Sequence, residues 1–205
     1  MVINSQIKVS SAAFLAMFLS ISVCSQNIQI SGAGSPTEPS IMMDPNNSDI
    51  LVAGSNLNYY YTSSDGGATW NVNTLASSYG VWGDPVIDID TSGHFYFTHL
   101  SNMAGGNWID RIVCQKSTDG GKTWSDGSYT GLNGTRAQDK QWTVVDRSNN
   151  NIYMTWTEFD HYGSSASSDS SRILFSKSLD QGGSWSAPLQ INQISGDCID
   201  GDSTV

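Results

Sequence analysis

Residues 63–70 read S-S-D-G-G-A-T-W, residues 117–124 read S-T-D-G-G-K-T-W, and residues 178–185 read S-L-D-Q-G-G-S-W. Ser, Asp, Gly, Thr or Ser, and Trp recur at the first, third, fifth, seventh and eighth positions. The starts lie 54 and 61 residues apart, a spacing that suits a four-stranded sheet repeated around an axis. Each residue type has a turn-forming reason to be there. The carboxylates of Asp65, Asp119 and Asp180 can accept hydrogen bonds from backbone N–H groups of the turn they begin. The glycine supplies positive φ, and the tryptophan opens the next strand and buries its ring between sheets. These aspartates therefore read as structural rather than catalytic.

Outward from the octets the rest of the unit aligns. Strand-like runs Ser40 to Asp44, Val86 to Asp90 and Trp142 to Asp146 each end in an Asp that starts a short polar turn. Second strands follow at Ile50 to Gly54, Phe95 to His99 and Ile152 to Trp156. Third strands run into each octet with Tyr59-Tyr60, Val113-Cys114 and Leu174-Phe175 at matching offsets. Short runs rich in β-branched and aromatic residues between turn residues predict strands. The unit is strand A, turn, strand B, loop, strand C, octet turn, strand D. Antiparallel connections alternate between sheet ends, so the A–B turns and octets share one face, and the B–C loops and D-to-A links share the other. From the Asp ending strand A to the octet Ser is 19, 27 and 32 residues in the three units. The excess falls in the B–C loops, Ser101 to Asp110 and Glu158 to Ser171, which marks that face for function.

Composition narrows the function classes. Charged residues make up 14% of the chain and the formal net charge is −10, which repels a phosphate backbone, so no nucleic-acid partner is expected. Residues 1–25 read as a signal peptide: Lys8 precedes the apolar run Ala12 to Val23, too short to span a bilayer, with cleavage placed between Ser25 and Gln26. The rival reading, Cys24 as a lipid-modified N-terminus, is opposed by Val23 where a small residue is wanted. The mature chain is thus expected to be secreted or at the cell surface, without a membrane span. Cys114 falls in strand C and reads as a small buried hydrophobe; Cys198 lies in a loop near the end.

The octets resemble the Asp-box (BNR) repeats of the sialidase/neuraminidase-like superfamily, over residues 38 to 205. The resemblance implies an all-β fold, a β-propeller of four-stranded antiparallel blades, incomplete in this chain. Residues 26–205 would hold three blades, with Gly201 to Val205 the opening strand of a fourth; about 340 residues would close a six-bladed ring at this spacing. Sialidases also carry an arginine triad, a Tyr–Glu pair and an Asp acid/base. The first arginine of that triad stands in an Arg-Ile-Pro motif, where this chain reads Glu38-Pro39-Ser40, and no arginine precedes Arg111. An acidic residue there repels a sialic acid.

Another feature recurs at that place. Glu38, Asp84, Asp139 and Asp202 stand at or just before strand A, the innermost strand of a propeller blade, and would ring the mouth of the channel. Trp82, Trp108, Arg136, Lys140, Gln141, Trp142, His99, Glu158 and His161 lie nearby in sequence. Paired carboxylates are the equipment of glycoside hydrolysis, and aromatic faces stack on sugars. The candidates for acid and base are Asp84, Asp139 and Glu158. Trp82, Trp108 and His161 are candidates for substrate contact, and Arg136 and Lys140 for positioning an anionic group. The competing reading is that the carboxylates cap strands and Trp142 is core. The expected partner is a glycan or glycoconjugate. The rival function is a non-catalytic propeller that binds glycans or proteins through the same loops.

Metal readings are weaker. Asp88 to Gly93 opens like a calcium loop, but its twelfth position is His99, where a bidentate Glu belongs, so a hairpin turn is expected. Asp197, Asp200 and Asp202 form an acidic cluster that could hold calcium, and His94, His99 and His161 lack zinc spacing. No cofactor is otherwise expected.

Overall fold

The computed structural model describes residues 27–32 and 36–199. The expected signal peptide, Asp200, Asp202 and the expected fourth-blade strand lie outside the described residues. Twelve strands form three four-stranded antiparallel sheets, and the described residues contain no helix. The first sheet is β1 (Ser40–Asp44), β2 (Asn47–Ser55), β3 (Tyr59–Ser63) and β4 (Asn71–Thr74). The second is β5 (Val86–Ile89), β6 (Phe95–Leu100), β7 (Ile112–Ser117) and β8 (Ser128–Thr130). The third is β9 (Ala137–Val145), β10 (Ile152–Phe159), β11 (Ser171–Ser178) and β12 (Leu189–Gln190). Within each sheet the strands pair in chain order, the meander expected from the repeat. The first strands adjoin one another, β1 beside β5 and β5 beside β9, so the sheets form an arc.

The octets are three copies of one turn. Ser63 Oγ donates to Asp65 Oδ1 at 2.8 Å and accepts from Gly67 N–H at 2.9 Å, while Asp65 accepts from Thr69 N–H at 2.9 Å and Thr69 Oγ1 at 2.6 Å. The second and third octets repeat all four bonds through Ser117, Asp119, Gly121 and Thr123 and through Ser178, Asp180, Gly182 and Ser184. The Ser184 hydroxyl, then its N–H, hold the Asp180 carboxyl down at about 2. Gly121, at φ 81, sits where a Cβ would come within 2.6 Å of Val52 Cγ2 on the preceding sheet. The turn of one unit therefore packs on the sheet before it.

Core lies between sheets. Val52, Tyr60 and Leu75 of the first unit meet Ile87, Ile89, Phe95 and Phe97 of the second. Trp124 packs edge-on against Tyr60 and Phe97, at 5.9 and 5.7 Å between ring centroids. Trp185 repeats this position one unit later, against the cluster of Tyr96, Cys114, Val145 and Ile152. Trp70 departs from the expectation: its indole donates to Gly67 O and joins neither cluster, because its outward side meets no sheet among the described residues. The octet tryptophan also opens its strand only in the first unit; β8 and β12 begin later, at Ser128 and Leu189. Cys114 is buried and free, as expected, and burial pushes its thiol up to about 12. Cys198 is buried and free too.

Two strands are longer than their sequence suggests. β9 starts at Ala137 rather than near Trp142, and β10 runs on to Phe159, pairing with β9 through a register shift between Thr155 and Thr157. Trp142 is not core: it is 65% exposed. Side chains alternate along β9, and Trp142 and Val144 fall on the outer face of the third sheet, while Gln141, Thr143 and Val145 point inward.

Candidate functional site

Loop and link residues from all three units meet at one end of the arc. A cavity of about 290 Å³ there is lined by Glu38, Asn56, Leu57, Trp82, Asp84, Leu100, Trp108, Ile109, Asp139, Lys140 and Tyr162. Most of these belong to the B–C loops and D-to-A links, with Leu100 closing β6 and Asp139 and Lys140 inside β9, so the face marked by loop length is where the cavity opens. A–B turns and octet residues line a separate recess together, with Asp44, Ser92 and Gly93 beside Ser63, Asp119 and Gly120.

The backbone aims the charged groups. Glu38, Asp84 and Lys140 hold φ of 52°, 51° and 51°, each just before or within the start of strand A. Left-handed backbone is costly for residues with a Cβ and persists only where the surroundings fix it. At Asp84 the Asn56 side chain accepts its N–H at 2.8 Å, and Gln141 Nε2 donates to its carbonyl. Lys140 Nζ lies 3.7 Å from Glu38 and 3.6 Å from Asp84. Asp139 Oδ1 accepts the Lys140 N–H at 2.9 Å. Burial, the hydrogen bond shared with the Glu38 carboxyl and the charge of Asp139 raise the Asp84 carboxyl to about 7, with Lys140 opposing. A carboxylic acid that keeps its proton near neutrality, beside other carboxylates, is fit to donate it.

Aromatic rings wall the cavity. Trp82 and Trp108 meet edge to face at 6.4 Å, and Trp108 meets Tyr162 the same way at 5.3 Å. Trp82 is 36% and Trp108 45% exposed, so ring faces are open to a ligand. Ile109, next to Trp108, is buried at φ 45°, an outlier for a β-branched residue. Backbone bonds from Ile109 N–H to Ser101 O and from Gln138 N–H to Ile109 O pin it at 3.0 and 2.7 Å.

Five sequence candidates therefore come together: Asp84, Asp139, Lys140, Trp82 and Trp108. Glu158, Arg136 and His161 do not line the cavity. Glu158 is 2% exposed, because the strict alternation of β10 turns Ile152, Met154, Trp156 and Glu158 to one side. Its Oε1 accepts from Arg136 Nη1 at 3.0 Å and Arg172 Nη1 at 2.8 Å, and its Oε2 from Asn133 at 3.0 Å and Gln138 at 3.2 Å. Asp160 completes the network, 3.1 Å from Arg136 Nε and 2.6 Å from Arg172 Nη2. A carboxylate held by two guanidiniums is poorly placed to move a proton, and Arg136, paired through Nη1 and Nε with Glu158 and Asp160, has its charge already countered. This network is an anchor for the third unit's loop. His161 is exposed and bonded to Asp169 at 3.1 Å. His99 is fully buried between Leu100 O and Gln115 Oε1, and burial pushes it down to about 4.

Sequence reasoning missed Tyr162, Asn56 and Arg172. Tyr162 lies in a Gly- and Ser-rich loop with no periodic signal. Arg172 could have been found: it pairs with Glu158 across β10 and β11, a register the repeat already specifies.

Among the described residues no group of three or more His, Cys, Asp or Glu side chains is placed to hold a metal ion. Asp197, the described member of the acidic cluster, accepts the N–H of Ile199 at 3.0 Å. In the calcium-loop look-alike, Asp90 is taken up by its own hairpin, accepting from Ser92 and His94 N–H and the Tyr96 hydroxyl. No helix among the described residues is long and apolar enough to cross a membrane.

No protein-family model matches the sequence, and none of the curated proteins matches it. Solved structures do. The chain is similar to a protein of unknown function from Dyadobacter fermentans, with a TM-score of 0.58 and 11% identity over 81% of this chain and 53% of that one. It is similar to an α-L-arabinanase of Penicillium chrysogenum solved with arabinobiose, with a TM-score of 0.55 and 17% identity over 78% and 50% of the two chains. A polysaccharide lyase of family 25, an ulvan lyase, matches with a TM-score of 0.50 and 14% identity over 74% and 41%. The likeness is one of fold. This chain spans about half or less of the length of these proteins.

Proposed function

We propose that this chain is part of an exported, sialidase-like Asp-box propeller and that it carries a glycoside-hydrolase site at the mouth of its channel. The observation that carries the reading is the meeting of Asp84, Glu38 and Asp139 in a cavity walled by Trp82, Trp108 and Tyr162, where burial and the neighbouring carboxyls push the Asp84 carboxyl up to about 7. Asp84 serves as general acid, giving its proton to the departing glycosidic oxygen. Asp139 serves as the second carboxylate, acting on water or on the sugar from the other side. Glu38 keeps Asp84 protonated, and the aromatic wall receives the apolar face of a sugar ring. Two of the similar solved structures are an arabinanase and an ulvan lyase, which agrees with a glycan partner here.

The second reading is a non-catalytic propeller that binds glycans or proteins. Lys140, between Glu38 and Asp84, favours it, since a purely structural cluster makes the same bridge. Assaying the full-length protein on a panel of glycosides separates the two. Hydrolysis that falls at least about 100-fold in Asp84→Asn, with sugar binding kept, supports the acid role. Binding without turnover, unchanged in Asp84→Asn and Asp139→Asn, removes the enzyme reading.

A further inference from the structure

Carboxyl groups outnumber the other charged groups that line the cavity. Glu38, Asp84 and Asp139 present carboxyl oxygens. Gln141 lines a second recess of about 140 Å³, which shares Glu38, Asp84 and Lys140 with the first. Gln141 is 1% exposed, and the bond from its Nε2 to the Asp84 carbonyl fixes which way the amide points. Its Oε1 has no hydrogen-bond partner among the described residues. A buried acceptor left unmet is costly, and this one, with almost no accessible surface, is not open to a ligand.

Positive charge is already committed. Lys140 is the one cation among the described residues lining the two recesses, and its ammonium lies between Glu38 and Asp84. Arg136 and Arg172, the nearest guanidiniums in the third unit, are held by Glu158 and Asp160. A ligand carboxylate or sulfate would meet Glu38 and Asp139, with Asp84 held partly as the acid, and no uncommitted cation; like charges brought together in a cleft are repelled more strongly than in bulk water.

We infer that this cavity takes the hydroxyls of an uncharged sugar and rejects one that bears a carboxylate or sulfate. Lys140 is the internal counter-ion of Glu38 and Asp84, not the anchor of a ligand's charge. The inference rests on the glycan reading above and names the substrate class for the same site. Arg136 and Lys140 as holders of an anionic group are thereby replaced by the carboxyls as holders of hydroxyls.

Matched probes test it. Binding of galactobiose and cellobiose to the full-length protein is compared by calorimetry with that of digalacturonic acid and cellobiouronic acid, at pH 7 and low salt. The neutral sugars bind at least about tenfold more tightly, and the gap narrows above about 0.15 M salt, as screening requires. In Glu38→Gln, which removes one charge at a half-exposed position, the gap also narrows. Acidic sugars binding as tightly as their neutral partners would overturn the inference and leave the carbohydrate reading standing. If neither set binds, and no neutral glycoside is turned over, the carbohydrate reading falls and takes the inference with it.

Discussion

Asp84 lines the cavity half-buried at φ 51°, and desolvation, the Glu38 hydrogen bond and the Asp139 charge raise its carboxyl from 3.8 to about 7. The sign follows from linkage. A carboxyl whose folded value lies above its unfolded one is held more firmly as the acid by the fold, so its contribution to stability is complete below about pH 4 and is lost as the pH rises through about 7. Urea melts between those limits should show the wild type losing stability relative to Asp84→Asn as pH rises. Lys140→Met removes the charge that opposes the shift, so the titration of Asp84, followed by carboxyl NMR, moves upward. A downward move would show that Lys140 acts in some other way. Ser117 is the comparable residue on the opposite face. Buried within its octet, it donates to Asp119 and accepts the Gly121 N–H. Ser117→Ala leaves that N–H unmet and costs about 1–2 kcal/mol in a denaturant melt.

At the scale of the element, the β-strands place groups that side-chain chemistry alone misassigns. Glu158 has the residue type of an acid or base, but the alternation of β10 puts it on the buried side, where Arg172 of β11 and Arg136 just before β9 close on it. Glu158→Gln is therefore expected to destabilise the fold by about 3 kcal/mol or more, as breaking a buried ion pair does. Thermal denaturation measures this; unchanged stability with lost turnover would return Glu158 to the chemistry. The octet turn makes a second element-scale prediction. Gly121 combines φ 81° with a Cβ position 2.6 Å from Val52. Gly121→Ala strains the turn and pushes the first two sheets apart, at a cost of about 2–4 kcal/mol, read by urea denaturation.

Across the whole molecule, the inner faces of the arc are packed and the outer faces of its two end sheets are not. Ile41, Met43 and Val72 on the first sheet, and Trp142, Val144 and Leu189 on the third, are exposed. Apolar patches of this kind drive association when left uncovered. Residues 26–205 prepared alone should sediment as concentration-dependent oligomers, and Trp142→Ser together with Val144→Ser should reduce that. A monomer with a cooperative melt would contradict the expectation. The same arrangement explains the unequal tryptophans, since Trp124 and Trp185 lie between sheets and Trp70 does not.

Local sequence determined the repeating unit. A turn residue acts on neighbours four or fewer positions away, so Ser117, Asp119, Gly121 and Thr123 and their counterparts could be assigned without a fold, and strand order followed from the meander. The face on which the cavity opens was legible for the same reason, because loop length is a property of the string. Tertiary structure decided which chemistry each polar residue keeps. Glu158 and Arg136 are consumed by a partner across a sheet, Glu38 and Lys140 converge on Asp84 from units about 50 residues apart, and Gln141 gains a buried, unmet acceptor. A carboxyl's proton affinity is set by charge and burial within a few ångströms, and separation along the chain does not encode that distance.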